Sequence, residues 1–258
     1  MEMYDNENTV QKSFDTAFLT EDLLQAQWAE FIEIKKIITE LYLNKKKPIT
    51  ILDIGIGNAR IPRHLSGIEE IWSMIEKYDG TDNSKSCIQL AEKVIAEVGI
   101  GEKVSVYFID ATAMNTWEVT YDLILITWFT AGNFYPADFP FDHYHQSQLK
   151  MDLSKNEKFQ NIFSNAYTIL KPGGEIVIGA CYIDNDQTRR KQEAFYKKTG
   201  MTVITDANDS FTATLEKFWS QRFTREKIFN YLPFVLQDKI SFVPLDTYDF
   251  AMLVRIKK

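Results

Sequence analysis

The chain has 258 residues, 45% of them hydrophobic and 25% charged, and a formal net charge of −7. That length fits one domain with room for a small appendage, and it can bury a sizeable core. The acidic balance disfavours a nucleic-acid partner, because affinity for a phosphate backbone comes largely from Lys and Arg.

The two cysteines, Cys87 and Cys181, stand far apart in apolar surroundings and read as buried free thiols of a reducing compartment. No Cys/His cluster has zinc spacing, so no metal is expected. The opening stretch MEMYDNENTVQKSFDT lacks the apolar core of a signal peptide, and no run reaches the length of a membrane helix. The expectation is a cytoplasmic protein with no membrane partner.

In chain order, Thr20 reads as a helix N-cap with Glu21 and Asp22 in the first turn. Leu24, Trp28, Phe31, Ile34, Ile38 and Leu41 follow at helical spacing, and the lysines at 45–47 with Pro48 end the helix. Residues 48–62, PITILDIGIGNARIP, run an apolar strand (49–54) into a glycine turn, with Asp53 inside the strand. Helical patterns fill 59–76. YDGTD (78–82) reads as a short strand ending in an acid, and Asn83 or Ser84 caps a helix that stops at Gly99. VSVYFIDA (104–111) is a strand ending in Asp110, and YDLILITWF (121–129) is the continuous apolar strand of a sheet covered on both faces.

Ser154 and Glu157 form a capping box for a helix to about Leu170, and KPGG turns the chain into a strand over 175–183. Residues 201–223 suggest strands or a hairpin. Thr224 caps the helix REKIFNYL, and ISFVPLD and YDFAMLVRIKK close the chain as an antiparallel pair at one sheet edge.

Strands alternating with helices define an α/β class with a doubly wound sheet. Ligands bind such sheets at the strand C-terminal ends. Asp53, Asp82 and Asp110 all fall there.

A dinucleotide fingerprint starting at Gly55 and Gly57 would need a third glycine where Arg60 stands, and the chain has no phosphate-binding G-x-x-x-x-G-K-[ST]. Asp53, Gly55, Gly57 and Ala59 instead resemble the first motif of class I S-adenosylmethionine-dependent methyltransferases, (D/E)-x-G-x-G-x-G, with alanine in place of the last glycine. GTDNS (80–84), IDAT (109–112), YDLILITW and LKPGGEIVI resemble later motifs of that family, in order. The interval from Asp53 to Asp82 is a few residues long, which places an insertion around Ser66–Gly67.

The resemblance implies a Rossmann-like methyltransferase fold: a mostly parallel seven-stranded sheet whose last strand is antiparallel. It divides the chain into an N-terminal helical lid (1–47), a cofactor-binding core (48–183), a substrate-lid segment (184–223) and a closing helix with two strands (224–258). It implies S-adenosyl-L-methionine as cofactor and S-adenosyl-L-homocysteine as product. Asp82 would hold the ribose, Asp110 and Ala111 the adenine, and Asp53, Gly55 and Gly57 the methionine region, with Asn83 and Thr127 as further cofactor-binding candidates.

The acceptor site is expected beyond the fourth strand, in the aromatic stretch 127–152. Trp128, Asn133 and Tyr135 are candidates there, and Trp219 and Arg222 are candidates from the second cover; Arg222 could hold a carboxylate by its planar fork. TAGNF (130–134) resembles the T-I-G-N-F-type stretch of histidine-specific methyltransferases, with Asn133 at the substrate-binding asparagine. His143 and His145, in DHYH, are candidate bases, His143 the leading one, with Trp128 and Asn133 as further catalytic candidates; His64 reads as packing or surface. Tyr4, Phe14 and Phe18 are candidate lid residues.

The leading expectation is methyl transfer to a small molecule, at an amine or amino-acid nitrogen. An O-methyltransferase, a protein side-chain methyltransferase and a non-catalytic cofactor-binding module stay open, as do monomer and homodimer.

Overall fold

A computed structural model describes residues 14, 19–144, 151–245 and 250–258. Tyr4, Phe18 and His145 lie outside the described residues.

Helix α1 (Glu21–Lys45) starts at Thr20 and buries Leu23, Ala26, Glu30, Ile34, Ile37 and Leu41 along one stripe. Trp28, expected on that stripe, is 57% exposed. The stripe carries an acid, Glu30, which is fully buried. Strand β1 (Ile49–Ile54) runs into the glycine turn. The helical pattern expected over 59–76 resolves into α2 (Arg60–Ser66) and α3 (Glu69–Ser73), broken at Gly67 where the insertion was expected. Strand β2 (Ile75–Asp82) begins earlier than its sequence suggests, because its backbone pairs in parallel with β1 from Ile49 onward. That ladder overrides the weak local pattern.

Helix α4 (Lys85–Val98) is capped by Ser84, whose hydroxyl accepts the Cys87 N–H, and ends at Gly99 with φ +74°. Strand β3 (Val104–Phe108) stops short of Asp110, which caps a 3₁₀ turn (Ala111–Thr116). Strand β4 (Tyr121–Ile126) ends before Trp128 and Phe129, whose positive φ values of +50° and +63° bend the chain out of the sheet.

Helix α5 (Glu157–Ile169) is capped by Asn156 and not by Ser154. The Asn156 carboxamide accepts the Phe159 N–H and donates to the Phe134 carbonyl at 2.7 Å, so it caps the helix and ties down the aromatic stretch together. Strand β5 (Leu170–Tyr182) leads to α6 (Asp186–Lys198). The sequence hid α6 because its buried positions include Thr188 and Gln192, so it has no apolar stripe. Strands β6 (Phe211–Ala213) and β7 (Trp219–Gln221) form the expected hairpin, a separate two-stranded sheet. Helix α7 (Arg225–Tyr231) precedes β8 (Ile240–Pro244) and β9 (Ala251–Lys257).

The main sheet has seven strands in the order β3-β2-β1-β4-β5-β9-β8. The first five are parallel; β9 runs antiparallel to both β5 and β8. Along the inner strands, alternate side chains serve two cores. Ile51, Leu123, Leu125 and Val177 pack under α1 to α4, and Leu52, Ile124, Ile126 and Ile178 pack under α5 and α7. A two-faced parallel sheet demands these unbroken apolar strands. Both cysteines are free and buried. Among the described residues no helix is long and apolar enough to cross a membrane.

Candidate active site

The four central parallel strands deliver Ile54, Asp82, Thr127 and Tyr182 to one edge of the sheet, where a cavity of about 590 Å³ opens. Its size is that of a small-molecule site. The glycine turn forms its floor. Gly55 and Gly57 have φ of +76° and +57°, and a Cβ on either would strike Thr130 Cγ2 at 2.6 Å or the Phe14 ring at 2.7 Å. Only glycine combines that conformation with such close packing. Phe14, a candidate lid residue, lines the cavity against Gly57. Ala59 is also left-handed, with φ +55°, at the N-cap of α2. The methyl group in place of the family's last glycine therefore sits in a strained backbone conformation.

Asp82 stands at the end of β2 and is nearly buried. Its Oδ2 accepts the Gly57 N–H at 3.1 Å and its Oδ1 the Ser84 N–H at 2.9 Å. Burial pushes this carboxyl above the ordinary range, and the backbone donors oppose the push. Each oxygen keeps a lone pair for a ligand hydroxyl. Asp110 and Ala111 also line the cavity. Against the upward push of partial burial, the Thr112 N–H and hydroxyl hold Asp110 below its usual value. Asn83 and Thr127 border the same space.

Asp53 does not line the cavity. Strand alternation turns its side chain onto the α1 face of the sheet, where Oδ2 accepts the Tyr78 hydroxyl at 2.7 Å and Oδ1 has no partner among the described residues. Burial raises its pKa to about 7, despite the Tyr78 hydroxyl and the nearby Arg60.

Of the acceptor candidates, Trp128, Asn133 and Tyr135 line the cavity. Trp219 and Arg222 do not. Trp219 is fully buried and stacks on Phe211 at 3.9 Å, beside Phe139. The Arg222 fork is consumed by Asp184, Gln192, Thr212 and the Asp209 carbonyl, which makes it a strut under the hairpin. The hairpin instead presents their neighbours, Phe218 and Ser220, to the cavity. His143 is exposed, away from the cavity; its loop packs Phe139, Phe141 and Tyr144 into a small core with the hairpin. His64 does line the cavity, against the rings of Phe31 and Trp28.

Glu30 was missed in the sequence, although an acid within an apolar helical stripe is a signal. Its Oε1 accepts the Trp128 N–H at 2.8 Å and its Oε2 pairs with Arg60. Arg60 in turn lies over the Trp128 ring, 5.5 Å from its centroid. Gly179 makes room, since a Cβ there would meet Glu30 Oε1 at 2.2 Å. Tyr182, Phe195, Tyr196 and Lys158 also line the cavity and carry no sequence motif.

No family model and no curated protein matches the chain. Solved structures do match its fold. An S-adenosylmethionine-dependent methyltransferase from Clostridium acetobutylicum ATCC 824 superposes with a TM-score of 0.56 at 12% identity, over 96% of each chain. The CcbJ methyltransferase from Streptomyces caelestis superposes with a TM-score of 0.61 at 10% identity, over 99% of this chain and 98% of its own. The chain has the Rossmann-like methyltransferase fold.

Proposed function

We propose that the protein is an S-adenosylmethionine-dependent methyltransferase acting on nitrogen or oxygen of a small molecule. One observation carries this reading: a single cavity at the sheet edge joins the glycine turn, Asp82 and Asp110 to a second, aromatic half. The first half suits an adenosyl ligand. Asp82 would accept from the ribose diol, Asp110 from the adenine amino group, and the Gly55–Gly57 backbone would lie along the methionine part. When bound, S-adenosylmethionine would supply a sulfonium methyl for the acceptor's lone pair, the carbon–sulfur pair staying on sulfur and the acceptor's proton passing to bulk solvent once the site opens.

The protein's part is orientation and exclusion of water. Trp128 and Phe129, held in left-handed backbone, fix the wall between the two halves. Phe129 stacks on Tyr182 at 3.6 Å, which secures that wall to β5. Such strain persists only where the surroundings over-determine it, and it clusters at functional sites. A small-molecule acceptor fits because the aromatic stretch and the hairpin cover the cavity. Calorimetric titration with S-adenosylhomocysteine tests the reading. Micromolar binding is the expected result; absence of binding would refute it.

A further inference from the structure

The residues lining the cavity divide by chemistry. The carboxylates among them, Asp82 and Asp110, belong to the adenosyl half and already hold the N–H groups of Gly57, Ser84 and Thr112. The other half is built of rings: Trp128, Phe129, Tyr182, Phe195, Tyr196 and Phe218. Phe129 and Tyr182 stack, Trp128 lies 4.9 Å from Phe129, and Tyr196 stands 5.8 Å from Phe195 and 6.0 Å from Phe218. Its polar groups include the uncharged Gln27, Asn133, Ser220 and tyrosine hydroxyls, and the cation Lys158 lines the cavity over the Tyr135 ring.

The charged groups bordering the rings are cationic. Arg60 covers Trp128, and Arg63 and His64 lie on the same helix. Glu30, the acid nearest to Trp128, is spent on Arg60 and the Trp128 N–H. Burial lowers the His64 pKa, and Arg60 and Arg63 lower it further, as a positive local potential requires. An aliphatic ammonium entering here would shed its hydration and find no carboxylate among the described residues that line this half. Aromatic faces can attract cations, but the face of Trp128 already has one. A flat neutral ring loses little hydration and gains stacked and edge contacts.

We infer that the acceptor is a flat, uncharged aromatic molecule presenting an aryl amine, a ring nitrogen or a phenol, and is not an aliphatic amine or free amino acid; this rests on the methyltransferase reading. An aryl amine also keeps its lone pair free near neutral pH, so it needs no carboxylate from the described residues of this half.

The test titrates the full chain, with and without S-adenosylhomocysteine, against 3- and 8-aminoquinoline and hydroxyquinolines, which are neutral near pH 7, and against histamine, choline and free amino acids. The quinolines are expected to bind at least about tenfold more tightly than the aliphatic set. Phe218→Ala should weaken quinoline binding about tenfold and change S-adenosylhomocysteine affinity less than about twofold. Tyr196→Phe, which keeps the ring, should retain most of the affinity. Aliphatic amines or amino acids binding as tightly as the quinolines, no binding by any compound, or an unchanged quinoline affinity in Phe218→Ala would overturn the inference. Failure of the wild type to bind S-adenosylhomocysteine would instead sink the methyltransferase reading, and quinoline binding measured without it decides the aromatic site separately.

Discussion

Glu30 and Trp128 are 98 residues apart in the chain, yet the Glu30 carboxylate accepts the Trp128 N–H at 2.8 Å. The same carboxylate pairs with Arg60, the first residue of α2. One buried acid thus joins the N-terminal helix, the glycine turn and the strained exit of β4. Glu30→Ala strands the Arg60 charge and orphans the Trp128 N–H. Loss of one partner of a buried pair costs about 3–5 kcal/mol. Glu30→Gln keeps an acceptor for Trp128 and should lose less. Chemical denaturation measures both, and a Glu30→Ala stability within about 1 kcal/mol of wild type would show that the pair holds nothing together.

Asp82→Ala should weaken S-adenosylhomocysteine binding by tenfold or more, on the order of 1.4 kcal/mol. It removes the proposed ribose acceptor and also frees the Gly57 N–H. Unchanged affinity by calorimetry would reject the ribose role. Trp128→Ala and Asn133→Ala are expected to lower turnover of an identified acceptor with little change in cofactor affinity.

Ala59→Gly should stabilise the protein by about 0.5–1 kcal/mol, because the left-handed backbone at φ +55° costs an L-residue more than it costs glycine. The loss of one buried methyl group offsets part of the gain. Thermal melts decide the sign, and a lowered melting temperature would mean that the methyl packing outweighs the strain.

The Asp53 carboxyl, raised to about 7 in the folded chain, sets a pH dependence. A carboxyl whose folded pKa is raised favours folding while protonated. Its contribution is whole below about pH 4 and is lost as pH rises through about 7. Asp53→Asn should therefore flatten the stability profile between about pH 4 and pH 7 and stabilise the protein at pH 8, by on the order of 2–4 kcal/mol. Melts of wild type and variant across that range test this; parallel profiles would show that Asp53 does not titrate with folding.

The local signals in the sequence were strong where a residue's conformation is dictated by its neighbours along the chain. The glycine turn, the acid ending β2, the Thr224 cap and the two-faced apolar strands were all legible. They determined the α/β class, the antiparallel closing pair at the sheet edge and the glycine-turn side of the cavity. The start of β2 at Ile75, helix α6 and the Asn156 cap were not. Each depends on partners distant in sequence: the β1 ladder, the polar contacts of Thr188 and Gln192, and the Phe134 carbonyl.

The acceptor half shows the same division. Aromatic density marked residues 127–152, but side chains one position apart in a strand point to opposite faces. Tertiary packing alone decided that Phe218 and Ser220 reach the cavity while Trp219 is buried in a separate core. It also turned Asp53 away from the cavity and brought Glu30 against the Trp128 N–H. Composition and spacing fix what a segment can become; which face meets the cavity depends on what packs against it.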